Sequence, residues 1–165
     1  MKATDFIRMS LEMSQNWIFS LLNDMKDAPT TFPTPKGGNH PLWILGHLTY
    51  SEAQLTSQYI KGEPNPLAEW EGLFGMGSQP MADAGRYPPF DKILAKFEAT
   101  RANTLKILAS MSDSDLDKPS KAPEEIREFF GTIGACFAAV AIHLAYHGGQ
   151  VADARRAAGR KPLMG

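Results

Sequence analysis

At 165 residues the chain is long enough for one domain with a substantial core, and 43% hydrophobic against 21% charged residues is an ordinary globular balance. A formal net charge of −1 supplies no basic face for nucleic acid, so none is expected as a partner. No window approaches the ~18 uninterrupted apolar residues of a membrane span, Asp5 and Arg8 arrive before any apolar run so no signal peptide is expected, and Cys136 has no second cysteine to pair with, which together point to the reducing cytoplasm.

The first helix is expected from about Asp5 to Lys26, with Thr4 as its N-cap. Ile7, Leu11, Ile18, Leu21 and Met25 form an apolar stripe interrupted by Ser14, and Phe6, Met13 and Trp17 widen it. Asp27 to Asn39, with three prolines and a Gly-Gly, reads as a connection. Its shortness favours an antiparallel hairpin of the first two helices.

A second helix is expected from about Pro41 to Ile60, capped by Asn39 or His40, with Pro41 in the first turn where a missing N–H costs little. Inside it, His47 sits in the apolar run Trp-Ile-Leu-Gly-His-Leu. Gly46 beside it suits close helix packing that brings His47 to the last helix. Lys61 to Pro89 carries five prolines and five glycines and reads as largely irregular. A loop this long in a small domain tends to be functional. Its Trp70, Phe74, Met76, Met81 and Tyr87 suit a lid over a site or a dimer surface.

The third helix is expected from about Phe90 to Ser110 on Ile93, Leu94, Phe97, Leu105 and Leu108, followed by a short helix at Pro123 to Phe130. The fourth runs from about Thr132 to Ala158, with Gly159 at C′ and Pro162 just beyond. The long second connection can cross the bundle. The chain is therefore expected to be all-α, a four-helix bundle for which up-down-down-up order is permitted and up-down-up-down is not excluded.

The fourth helix holds His143 and His147, two of the chain's four histidines. Four residues is ~400° of rotation and ~6 Å of rise, so both imidazoles leave one face a turn apart. That geometry suits two ligands of one divalent ion. Val140, Ile142 and Leu144 flank them, and a buried imidazole needs a partner. His47 could face them across a normal interhelical gap of ~8–10 Å. The Gly148-Gly149 pair costs the helix ~2 kcal/mol relative to alanine, so if the helix continues, a helix, subunit or substrate should approach its backbone there.

These residues carry a resemblance. Trp43-Ile-Leu-Gly-His47-Leu, then His143-x-x-x-His147-x-Gly149-Gln150, then Arg155-Arg156-x-x-Gly159 is similar to the pattern of the DinB/YfiT-like family, over nearly the whole chain. The resemblance implies an up-down-down-up four-helix bundle and a divalent metal held by His47, His143 and His147. It also implies frequent homodimers, and relatives that are thiol-dependent transferases and isomerases using mycothiol or bacillithiol.

An open three-imidazole site on zinc, nickel or iron would suit a metal hydroxide or a metal-activated thiolate. The expectation is a thiol-dependent S-transferase or hydrolase acting on an unidentified small molecule, with a low-molecular-weight thiol as cosubstrate. The alternative is a non-catalytic metal-binding protein of stress response or sensing. No base stands out. Tyr50, Ser51 and Gln54, at i+3, i+4 and i+7 from His47, are weak candidates, and Gln150, at i+3 from His147, could orient a ligand or tie two helices together. Glu52, at i+5, points away from His47 and reads as a solvated or packing-edge residue. Cys136 and Trp17 read as core, His40 as a capping or surface residue. Arg86 and Arg155 could meet an anionic substrate.

Overall fold

The computed structural model describes residues 1–28, 30–31 and 38–163. Among these it contains six α-helices and no β-strand: α1 (Ala3–Asn23), α2 (Pro41–Ala53), α3 (Glu71–Phe74), α4 (Phe90–Ala109), α5 (Arg127–Phe130) and α6 (Ile133–Ala157). The chain is all-α, and no helix among the described residues is long and apolar enough to cross a membrane. Most of the connection expected between the first two helices lies outside the described residues.

Helix α1 packs chiefly against α6 and α2 chiefly against α4, with α2 also meeting α6 and α1 meeting α4. The first two long helices are therefore not the packed hairpin that their short link suggests. Leu11, Ile18, Leu21 and Leu22 of α1 enter a core shared with Ile44, Leu45 and Leu48 of α2, Ile93 and Phe97 of α4, and Phe137, Val140 and Leu144 of α6. The expected widening of the α1 stripe does not occur. Phe6, Met13 and Trp17 are 57%, 64% and 42% exposed, because they lie at or beyond the edge of the Leu/Ile seam that α6 and α4 cover, the Trp17 indole reaching α6 only in part, at Gly148.

The helix ends follow local chemistry, with one surprise. Thr4 does not cap α1. The N-cap is Lys2, without a side-chain bond, and the free N–H groups of Ala3 and Thr4 donate to the Asp113 carboxylate at 2.9 and 3.0 Å. A carboxylate satisfies the orphan donors and opposes the helix dipole from another part of the chain. His40 caps α2 as expected, its Nδ1 accepting the Trp43 N–H at 3.1 Å, with Pro41 following. At the end of α6, Gly159 takes φ +76°. Its N–H donates to the Arg156 carbonyl and the Arg160 N–H to the Arg155 carbonyl, the paired bonds of a Schellman stop.

The second helix does reach Lys61, but its last part, Gln54–Lys61, is π-helical and closes on Gly62 at φ +75°. π-helical widenings inserted in α-helices recur near functional sites, though at eight residues this one is longer than the usual single turn. Residues 61–89 are less irregular than their composition suggests. Helical turns occupy Ala68–Trp70, α3 and Ala84–Arg86, and Trp70, Phe74 and Tyr87 are buried. Phe74 is fully buried against Gly46, where an added Cβ would lie 2.1 Å from its ring. The close neighbour of Gly46 is thus this ring, not the last helix.

Helix α6 runs unbroken through Gly148 and Gly149. A Cβ on Gly148 would sit 3.2 Å from the Trp17 indole, which explains the first glycine, whereas one on Gly149 would meet no atom within 4 Å.

Candidate metal centre

The core packing turns His47 of α2 toward His143 and His147 of α6. Ring centres lie 4.9 Å apart for His47 and His143, 5.2 Å for His47 and His147, and 4.6 Å for His143 and His147. One ring nitrogen from each falls within 4.8 Å of the other two, a set that could hold a metal ion. Nε2 of His143 and Nε2 of His147 are 2.9 Å apart, close to the spacing of two nitrogens sharing an ion at about 2.0–2.1 Å each.

Partners behind two of the rings decide which nitrogen faces inward. His47 Nδ1–H donates to the Phe74 carbonyl at 2.6 Å, which leaves the Nε2 lone pair free. His147 Nδ1 lies 2.8 Å from Gln150 Oε1, and the same oxygen accepts from Asn39 Nδ2 at 3.0 Å. An amide oxygen can only accept, so His147 Nδ1 carries the proton and its Nε2 is the nitrogen with a free lone pair. Backing of this type fixes tautomer and orientation at metal sites. Trp43 holds the group from the side, stacked on His47 at 4.5 Å and 11°, its indole N–H bound by the Leu73 carbonyl and Ser78 Oγ, both 3.1 Å away.

The electrostatics favour neutral rings. Burial, reinforced by the neighbouring His147 and His47, pushes His143 down to about 3. Burial pushes His147 down to about 4, with the Gln150 bond opposing. His47 is lowered too, by burial, against the pull of the Phe74 carbonyl. Neutral imidazole is the metal-binding form. The donor set, its tautomers and its protonation thus all fit a divalent cation.

A cavity of ≈740 Å³ opens beside the triad, lined by His47 and His143 and by residues of the π-helical segment, α5 and α6. Ser51 and Gln54 stand in its wall, as expected from their place on the His47 face. Tyr50 does not: it is buried, and its carbonyl accepts from Asn65 Nδ2 at 3.5 Å on the side of the 61–89 segment. At i+3 the helix carries it past the cavity, which takes i+4 and i+7 instead. Gln150 Oε1 accepts from both His147 Nδ1 and Asn39 Nδ2, the latter just before the start of α2.

Glu52 is neither solvated nor at an edge. It is 1% exposed and accepts from Arg101 of α4 at 2.8 Å, because the side of α2 opposite His47 faces the interior. Arg155 is also away from the triad, bound to Asp24 at 2.8 Å, and Arg86 is exposed on its turn. Cys136 is a buried core thiol, pushed up to about 11 by burial, and so unreactive. Of the residues expected to form a lid, Met76 is 91% exposed and lines the cavity, while Trp70, Phe74 and Tyr87 are core. Sequence patterning missed Asn39 as a site residue and the Phe74 carbonyl, because both act through contacts distant in the chain. It also missed Tyr146, whose ring packs edge-on to His147 at 5.2 Å and lines the cavity. Its position next to His147 was the available signal.

A helical protein with three histidines converging beside an open cavity is thereby defined. The sequence profile of the DinB superfamily matches residues 10–151, and the chain belongs to that superfamily. No curated protein sequence matches it.

Proposed function

We propose that His47, His143 and His147 together bind one divalent metal ion and that the protein is a metal-dependent enzyme of thiol-transferase or hydrolase type. The observation that carries this is the convergence of three ring nitrogens within 4.8 Å, two of them with outer nitrogens already engaged, at the wall of a large cavity. An all-imidazole donor set favours zinc, nickel or iron over calcium or magnesium. When bound, such an ion supplies Lewis acidity and lowers the proton affinity of a water or thiol that reaches it.

The chain's own residues do the rest. The Phe74 carbonyl and Gln150 hold two rings in the ligating tautomer. Trp43 shields one face of the His47 ring. Ser51 and Gln54 offer hydroxyl and amide groups to a molecule in the cavity, and burial raises the Tyr59 hydroxyl so that it remains a proton donor there. A small thiol cosubstrate and a cytoplasmic location, the latter suited to a lone cysteine, complete the proposal. So does a homodimer, for which the exposed Phe6, Met9, Met13 and Trp17 on one side of α1 offer an apolar face.

A second reading has its own support: among the described residues no carboxylate lines the cavity, so none supplies a strong base there. A non-catalytic metal-binding protein of stress response or sensing would need none.

Elemental analysis of protein purified without a metal column, beside His143→Ala, tests the metal. One equivalent in the wild type and its loss in the variant are expected; equal contents would refute the site. A screen of the loaded protein with thiol adducts and hydrolysable esters then separates the enzyme from the binding protein.

A further inference from the structure

We infer that the cavity beside the triad is a binding site for an uncharged, elongated apolar molecule bearing one donor atom at its triad end. The inference deepens the proposed function. Only the placement of the donor atom depends on that proposal, since the body of the molecule is held by the wall alone.

Among the described residues, the wall carries no Lys, Arg, Asp or Glu side chain. Away from the triad end, a carboxylate or ammonium group entering it would lose hydration and find no counter-charge among the described wall side chains, a substantial penalty. The α6 side is built from Ala135, Ala138, Ala139 and Ile142, leads to His143 and ends a turn further on at Tyr146. From His143 back to Ala135 is eight residues, about 12 Å along the helix axis. Small side chains along that length leave room for a body lying parallel to α6. Phe129 and Phe130 close the wall at the α5 end, Leu55 and Tyr59 the side toward the π-helical segment. A cavity of ≈740 Å³ falls in the range of small-molecule sites, about 300–1,000 Å³.

The polar wall groups Ser51 and Gln54 follow His47 along one side of α2 and its continuation, opposite the alanines. They can hydrogen-bond a neutral carbonyl, ether or hydroxyl, but neither neutralises a charge. A thiol cosubstrate bearing carboxylates is therefore mismatched to this wall. The cavity belongs to the apolar reaction partner.

Zinc-loaded protein titrated calorimetrically with 1-methyl-, 1-propyl- and 1-hexylimidazole at about pH 8, where these probes are largely neutral, provides the test. A parallel titration uses 3-(imidazol-1-yl)propanoate. Affinity should rise about fourfold per methylene added, and the anionic probe should bind at least about tenfold more weakly than the neutral propyl probe. Ala138→Asp, a change at an exposed helix position, should lower hexyl affinity at least about tenfold, while Ala102→Asp on α4 leaves it unaltered. Circular dichroism verifies both folds.

Methyl and hexyl probes binding equally, or the anionic probe binding best, would overturn the inference while leaving the metal site standing. The metal proposal fails separately if chain-length dependence persists but zinc removal changes no affinity. A hexyl probe excluded from wild type, together with a dimer that dissociates in Ala138→Asp, would assign the apolar wall to a second copy and overturn the inference as well.

Discussion

The Phe74 carbonyl accepts the Nδ1–H of His47 at 2.6 Å while the Phe74 ring fills the space over Gly46. One residue of the 61–89 segment thus sets the position of a triad histidine from both ends of its own structure. Gly46→Ala would place a Cβ 2.1 Å from that ring. The ring is fully buried, packed at 5.2 Å on Trp70 and 5.5 Å on Tyr87, and has nowhere to retreat. We expect a loss of about 1–3 kcal/mol in stability from overpacking. Displacement of the carbonyl should add a fall of about 10–100-fold in metal affinity. Competition against a chromogenic chelator measures the second effect, and an unchanged affinity would refute the coupling.

Gln150 gives a cleaner probe of ring orientation, because it is only half-buried. Gln150→Leu removes the acceptor for His147 Nδ1–H and also the partner of Asn39. Metal affinity should fall by about 10–100-fold with little change in unfolding midpoint of the metal-free protein. Asn39→Ala should cost less, since it removes the constraint on Gln150 and leaves the bond to His147. A larger effect from Asn39→Ala would show that the relay is misassigned.

How far the sequence foretells this arrangement depends on the range of the interactions. Helix α6 is expected at Thr132–Ala158 and found at Ile133–Ala157, because periodicity, Thr132 and Gly159 are local signals. The triad is legible for the same reason: i and i+4 fix two rings, and an apolar setting turns the third inward. Residues that act across the chain are not legible. Asp113 replaces Thr4 at the start of α1 from about a hundred residues away, and Arg101 buries Glu52. Composition also misleads at 61–89, where prolines and glycines frame short helical turns whose aromatic residues enter the core.

The Glu52–Arg101 pair should behave as a coupled unit. Both side chains are almost wholly buried, at 1% and 3% exposure, and Arg101 also donates to the Leu11 carbonyl at 2.9 Å, tying α1, α2 and α4 together. Burial raises the Glu52 carboxyl despite the adjacent guanidinium, so removing that guanidinium leaves a poorly solvated acid. Arg101→Met should destabilise by about 3–5 kcal/mol, whereas Arg101→Met with Glu52→Met should recover most of the loss. Denaturant unfolding of wild type, Arg101→Met, Glu52→Met and the double variant gives the coupling. Additive single effects would mean that the pair is not a unit.

His40 confers a pH dependence that can be isolated from the triad. Its Nδ1 accepts the Trp43 N–H and its Nε2–H donates to the Met81 carbonyl at 2.9 Å, so the cap requires the neutral ring. Burial lowers its folded pKa below the ordinary 6.5, outweighing the Met81 bond. The unfolded chain therefore binds a proton first as pH falls below about 6.5, and the stability supplied by the neutral ring drains away below that point. His40→Asn retains a capping oxygen but no titrating group. The stability gap between wild type and His40→Asn, read from urea unfolding at steps between pH 8 and pH 5, should be constant above about 6.5 and shrink below it. The triad histidines titrate equally in both proteins and cancel from the difference. A gap that stays constant to pH 5 would show that His40 does not hold the start of α2 through its neutral ring.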